Sequence, residues 1–394
     1  MLYDRWIRPL LFRCDAELAH RSAVRLCELA GRSRVARAML QHRFAPHIDP
    51  RLRCTMGDLY WEHPIGLAAG WDKSGTAVPA LQSMGWAAVE IGSISMRPSQ
   101  GNSGTRLARI PQRKAIWVNY GLPNDGAERI AKRIASRRSQ EPEVDGALEN
   151  GCRLGINLVS TNDPKGRAAT LEQILDDYAG SFRLLARCAD YVTLNLSCPN
   201  SSDGCQWFSD PDRIAALLER LKRVQVEQID AGFYAKPKPL FLKVSPQLVE
   251  QSAASLVATC LPFAGVAGFL VNLPAGPPHD FDQLAALPSV EVGAIAGRPA
   301  RSRLLACVGT LFQAIPAGRF AIIGGGGIFT AEDVFETIVH GATAVQVYSG
   351  FVYAGPSIIR RLQQGLGKQL AEHGFTKLQD AVGSAWRPVG EPDI

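Results

Sequence analysis

The sequence predicts an α/β protein, a single (β/α)8 TIM barrel preceded by a small N-terminal helical extension. Three observations carry this. Eight short apolar runs recur after residue 54, each followed by a polar or Gly-rich turn and then a helical stretch. The runs are rich in Val, Ile and Leu without strict alternation, which is the pattern of strands buried on both faces. An open doubly wound sheet is the rival architecture, but no dinucleotide fingerprint accompanies the eight units, which favours closure.

Residues 1–45 read as amphipathic helix. Asp15 is a good N-cap, Leu18, Ala19, Ser22, Leu26, Leu29 and Ala30 fall on one helical face, and Gly31 ends the helix. A second short helix follows over 34–41, then a linker over 46–53. Helices this short bury no core alone, so they pack on the body, on a membrane, or on both. The barrel is expected over 54–394. Its strands are Ile65–Ala69, Ala87–Ile91, Arg153–Leu158, Tyr191–Leu196, Leu240–Val244, Gly268–Val271, Phe320–Ile323 and Ala344–Val347.

Composition narrows the class. Among 394 residues, 46% are hydrophobic and 20% charged, which excludes a disordered or collagen-like chain. Nine cysteines without a C-x-x-C pair fit a reducing cytoplasm rather than a disulfide scaffold or a zinc site. Residues 1–53 hold eleven Arg and five acidic side chains, so the net +6 resides there and the rest is neutral. A neutral body argues against nucleic acid as a partner. A basic, apolar N-terminus suggests an anionic lipid surface. No secretory signal opens the chain, and the longest apolar stretch, Leu256–Val271, is too short and too interrupted to span a bilayer. The expected location is cytoplasmic and peripheral, on the inner face of the cell membrane.

In such barrels the chemistry sits at the C-terminal strand ends. Those ends carry Ala69, Gly70 and Lys73; Ser93; Asn157; Asn195 with Cys198 and Asn200; Lys243; Asn272; Gly324 to Gly327; and Tyr348 with Ser349. The set is rich in amides, with two lysines and one thiol, and lacks a His/Asp/Glu cluster, so no metal is expected. A ring of Asn, Lys and Gly suits a planar, hydrogen-bonding, phosphorylated cofactor. The last two sites are Gly-rich and precede helices, where backbone N–H groups can cradle phosphate. Lys243 follows Phe241 and Leu242 inside an apolar strand, so an ordinary solvated role fits it poorly. Cys198 lies in a Pro-containing turn beyond a strand, an accessible, catalytic type of location.

These residues resemble the dihydroorotate dehydrogenase family over nearly the whole chain. The segments that carry the likeness are GLAAGWDKSG (66–75), RPSQGNSGTRLARIP (97–111), NLSCPN (195–200), AGRP (296–299), IIGGGGI (322–328) and VYSGFVYAGP (347–356). Asp15, Ala19 and His20 are similar to residues of the membrane-associated, quinone-using class. The resemblance implies an FMN-dependent barrel that oxidises (S)-dihydroorotate to orotate, in pyrimidine biosynthesis, and passes electrons to a quinone. It implies FMN contacts at Ala69, Gly70, Lys73, Ser93, Asn157, Asn195, Lys243, Asn272, Gly297, Gly327, Tyr348 and Ser349. Substrate contacts fall on Lys73, Asn119, Gly121, Leu122, Asn195 and Asn200. His20 and Arg109 line the quinone path, Cys198 is the base, and Lys73 assists catalysis.

Three departures from the family pattern stand out. Cys198 is a base of the soluble-class type beneath a membrane-class N-terminus. Val118 stands where an Asn is expected, with Asn119 one place late. Leu273 likewise stands where an Asn is expected, with Asn272 one place early. A site short of two such amides loses ~1–3 kcal/mol for each substrate group left unpaired. The alternatives are a paralogue acting on another cyclic amide or amino-acid derivative, a flavin-dependent tRNA-dihydrouridine reductase, and a flavin-free binding module. The reductase would need a basic RNA-binding domain, and only about forty residues follow the last strand.

Overall fold

The structure is a computed structural model that describes residues 3–138, 151–162, 169–197, 207–289 and 292–387. A single π-helical turn (Tyr3–Ile7) opens the described chain and leads into three helices, α1 (Arg8–Arg13), α2 (Ala16–Gly31) and α3 (Arg34–Phe44). The Asp15 carboxylate accepts from Leu18 N at 2.8 Å and the Ser33 hydroxyl from Ala36 N at 3.3 Å, so both longer helices start on the capping residues their sequences supply. The α2 side chains packed against the core are small, Ala23, Val24 and Cys27. Leu18, Leu26 and Leu29 of α2, with Trp6, Leu10, Val35 and Met39 nearby in sequence, remain exposed. The stripe with the largest side chains therefore faces away from the body.

A hairpin of β1 (Cys54–Met56) and β2 (Leu59–Trp61) follows. Its buried Cys54, Met56, Leu59 and Trp61 join the barrel core, and Arg153, which opens a barrel strand, donates to Tyr60 O at 3.0 Å. The hairpin thus closes the N-terminal end of the barrel. Eight parallel strands form the closed barrel: β3 (Ile65–Leu67), β4 (Ala88–Ile94), β7 (Arg153–Leu158), β8 (Tyr191–Asn195), β9 (Leu240–Val244), β10 (Val266–Val271), β12 (Ala321–Gly325) and β13 (Ala344–Val347). These are the eight runs read from the sequence, with ends shifted by at most three residues.

Three further strands, β5 (Leu107–Ile110), β6 (Ala115–Val118) and β11 (Ala294–Gly297), form a separate antiparallel sheet in the order β11-β6-β5. They belong to excursions that leave the C-terminal ends of β4 and β10, so this sheet lies over the barrel mouth. Its register sets Leu107, Val118 and Ala294 in one cross-strand row and Arg109, Ile116 and Ala296 in the next such row. The helices α4 (Val78–Ser83), α5 (Ala127–Arg138), α6 (Leu171–Leu185), α7 (Pro211–Asp230), α8 (Pro246–Cys260), α9 (Arg301–Ala314) and α10 (Ala331–Val339) surround the barrel. After β13 come the short α11 (Ser349–Ala354) and then α12 (Ile358–Glu372), which completes the outer ring. Among the described residues no helix is long and apolar enough to cross a membrane.

Candidate functional site

The C-terminal strand ends open into a cleft with about 1280 Å³ of empty space. Ala69, Gly70, Lys73, Ser93, Asn195, Lys243, Asn272, Gly297, Gly327, Tyr348 and Ser349 all line it, as does Leu122. Gly92 shows why the strand ends close so tightly. It has φ +115°, and a Cβ there would lie 2.5 Å from Asn157 O. Its carbonyl accepts from Gly70 N at 2.7 Å and its N–H donates to Asp72 O at 3.1 Å, which joins the ends of β3 and β4. The Asp72 carboxylate then accepts from Thr76 N (3.0 Å) and Ala77 N (2.7 Å), and this turn fixes Lys73.

Lys73 donates to Gly70 O at 2.8 Å and lies 3.9 Å from the Tyr120 ring centroid. Burial pushes its ammonium down to about 8, against the opposing pull of Asp72 and Glu17, with Arg106 lowering it further. An amine so poised stays mainly charged at pH 7 and needs an electron-rich partner in the cleft.

A directional hydrogen-bond chain orders the amides. Asn272 Nδ2 donates to Asn195 Oδ1 (3.2 Å), Asn195 Nδ2 to Ser93 Oγ (3.0 Å), Ser93 Oγ to Asn157 Oδ1 (2.5 Å) and Asn157 Nδ2 to Glu90 Oε1 (2.9 Å). Glu90 is fully buried within the barrel and also accepts from Gln346 Nε2 (2.7 Å), Thr193 Oγ1 (2.9 Å) and Tyr191 Oη (3.2 Å). Each link polarises the next, and the carboxylate anchors the sense of the whole chain. Asn157 accordingly stands behind Ser93, outside the lining of the cleft. Glu90, Gln346 and Tyr120 escaped the sequence reading. An acid inside the apolar run Ala87–Ile91 was the signal that could have found Glu90.

The structure separates the two altered positions differently. Val118 lines the cleft, whereas Asn119 is turned away and its Oδ1 accepts from Asn102 Nδ2 at 2.8 Å. Gly121, at φ +65°, likewise backs onto Asn102. The structure thus places Asn119 and Gly121 outside the lining of the cleft, with Asn119 Oδ1 held by Asn102. Asn272 spends both N–H groups on Asn195 and Ser197 O (2.9 Å), its Oδ1 accepts from Leu273 N (2.9 Å), and Leu273 joins it in the cleft lining. Cys198 and Asn200 lie outside the described residues.

A second cavity, with about 1910 Å³ of empty space, lies between the N-terminal helices and the barrel. Its lining is mostly apolar and includes Leu11, Phe12, Ala19, Trp71, Phe351 and Val352, with His20 and Arg109 among the polar groups. Arg109 donates to Leu11 O at 2.8 Å and to Cys14 O, and so holds the turn between α1 and α2. Burial and the Lys73 charge keep His20 well below the usual histidine range, hence neutral. Tyr348 lines both cavities, and His20 Nε2 lies 3.4 Å from Lys73 Nζ. Among the described residues no His, Cys, Asp and Glu group could hold a metal.

The family model described as dihydroorotate dehydrogenase matches residues 51–370. A "Dihydroorotate dehydrogenase (quinone)" of Roseiflexus sp. (strain RS-1) is 34% identical, over 96% of this chain and 97% of that protein. One of the same name from Myxococcus xanthus is 33% identical over 98% and 99%. Among solved structures, ligand-free DHODH from Eimeria tenella superposes with a TM-score of 0.82 at 27% identity, covering 95% of this chain and 100% of that one. The same enzyme in complex with ferulenol gives 0.80 at 27% identity, over 94% and 96%. A full-length match in sequence, together with the barrel and its two adjoining cavities, places this chain in the dihydroorotate dehydrogenase family.

Proposed function

We propose that the chain oxidises (S)-dihydroorotate to orotate at the strand-end cleft and passes the electrons to a quinone admitted through the second cavity. The observation that carries this reading is a pair of cavities, one carrying Lys73, Asn195 and Lys243 and the other mostly apolar, that share Tyr348 as a wall.

The cleft fits FMN. Gly324 to Gly327 line it, and a Cβ on Gly326 or Gly327 would lie 2.1 Å from the Leu304 side chain or 2.8 Å from that of Arg301, so only bare backbone reaches a phosphate there. Lys73, Ser93, Asn195 and Lys243 would hold the ring system, and Gly297, Gly327, Tyr348 and Ser349 the phosphate end. Bound FMN supplies a two-electron acceptor for the hydride. Cys198, just past β8, is the proposed base for the acidic proton beside the substrate carbonyl. The substrate loses that proton and the neighbouring hydride as its C=C bond forms. Lys73 stabilises the enolate charge that develops, and the Glu90-anchored chain keeps Asn195 in one orientation. The quinone takes up two electrons and two protons.

The N-terminal helices support docking on a membrane. They expose Trp6, Leu10, Leu18, Leu26, Val35 and Met39, and residues 1–53 carry the whole net charge of +6. Turnover of dihydroorotate with a soluble quinone, compared with fumarate and NAD, tests the reading. Quinone-dependent orotate formation is expected. Orotate formation supported by fumarate or NAD but not by quinone would refute the acceptor assignment.

A further inference from the structure

The geometry points to an apolar substrate subsite formed by Val118, Leu122 and Leu273, and so to a substrate that carries a hydrocarbon substituent on its dihydropyrimidine ring. This rests on the dehydrogenase reading of the cleft and narrows its substrate class.

Two segments far apart in sequence converge on this wall. Val118 ends β6 and is paired with Ala294 of β11. The segment after β10 that carries Leu273 returns to the same strand, where Gly276 bridges Ala294 and its N–H donates to Gly293 O at 2.8 Å. Leu273 and Val118 both pack against the small cluster that contains Ile116, Tyr120 and Ala296. Leu122 completes the patch at φ +61°, a left-handed conformation that a leucine adopts only where its surroundings impose it. All three side chains line the cleft opened by Lys73, Asn195 and Lys243.

The two amides nearest in sequence are already engaged by neighbours. Asn119 is tied to Asn102, and Asn272 is committed to Asn195, Ser197 and Leu273. Tyr120 is the polar exception. It lines the cleft, and its buried hydroxyl has no partner among the described residues, so it offers one hydrogen bond at the rim of the patch. A ring whose N–H or C=O meets Val and Leu loses roughly 5- to 150-fold in affinity for each group left unpaired. A buried methylene in the same place gains about 4-fold. Apart from the two C–H carbons that react, the edge of dihydroorotate is N–H, C=O and carboxylate, so an alkyl group in the patch reverses the sign of that contact. The chemistry is otherwise that of the dehydrogenase: one proton to the base, one hydride to the flavin, one C=C bond formed.

The test uses the full-length, flavin-loaded chain mixed anaerobically with dihydroorotate, 1-isobutyldihydroorotate and 3-isobutyldihydroorotate. Flavin bleaching gives the reduction rate. The shift of the flavin absorbance gives the affinity for the corresponding orotates without turnover. At least one isobutyl compound should exceed dihydroorotate at least 10-fold in reduction rate over Kd, and its orotate should bind at least 10-fold more tightly than orotate. L273N and V118N should each bring that advantage below 3-fold. Two variants are used, with flavin content and melting temperature measured, so that misfolding of one leaves the other decisive. An advantage below 10-fold in the parent chain, or one that survives in the folded variants, overturns the subsite. If dihydroorotate alone bleaches the flavin, only the subsite fails. If no dihydropyrimidine does so, the dehydrogenase reading fails with it.

Discussion

Glu90→Gln keeps almost the same volume but turns one acceptor oxygen into an N–H donor, and its cost follows from the hydrogen bonds. The carboxylate accepts four donors, at 2.7 Å from Gln346, 2.9 Å from Asn157 and Thr193, and 3.2 Å from Tyr191. Two of these donors are hydroxyls, which rotate and can accept instead. The other two are amide N–H groups. Whichever way the introduced amide turns, its own N–H meets the amide of Asn157 or that of Gln346. One of those amides must flip. A flip of Asn157 presents an N–H to Ser93 Oγ and reverses the chain through Asn195. Bonds to a charged acceptor are worth ~1.5–3 kcal/mol and neutral ones ~1, so weakening several and losing one gives about 2–4 kcal/mol of destabilisation. Urea denaturation followed by circular dichroism measures it, with bound FMN per chain as the second readout. Stability should fall by that amount, and flavin retention should fall with it because Ser93 and Asn195 lose their fixed polarity. A change below ~0.5 kcal/mol with full flavin content would refute the anchoring role.

Burial holds the His63 imidazole down to about 4, with Nε2 on Gly85 O at 3.0 Å and Nδ1 accepting from Ile65 N at 3.3 Å. The unfolded chain binds the proton first as pH falls from about 6.5 to 4, so stability drops by ~3 kcal/mol across that window and levels off below it. Urea midpoints at pH 7 and 4.5 should separate less in His63→Gln than in the parent chain. Deleting residues 1–45 should leave a folded, yellow barrel that loses quinone reduction more than the dihydroorotate half-reaction, together with liposome binding. Equal loss of both half-reactions with liposome binding retained would count against this. Cys198→Ala should slow flavin reduction ~10²–10⁴-fold with little change in substrate affinity, whereas Cys205→Ala, at the next cysteine along the chain and one given no role in the reaction, should be tolerated. Near-parental reduction by Cys198→Ala across pH 6–9 would remove the thiol from its proposed role.

The sequence by itself determined the barrel. Strands buried on both faces must be apolar throughout, so runs such as Leu240–Val244 and Ala344–Val347 stand out against their polar turns, and eight of them imply closure. The strand-end rule then located Lys73, Ser93, Asn195 and the glycine turn 324–327, because those places follow from chain position alone. Tertiary structure decided what depends on partners distant in sequence. The sheet that covers the mouth pairs Val118 with Ala294, 176 positions away by their numbers, and each strand in it has only four residues. Strands that short carry too little pattern to be read alone. That Val118 rather than Asn119 lines the cleft goes with the hydrogen bond from Asn102 to Asn119, and Asn272 and Leu273 both line it, with the amide of Asn272 held by Asn195 and Ser197. A side chain's direction at the end of a strand is set by the neighbour that captures it, and sequence order does not name that neighbour.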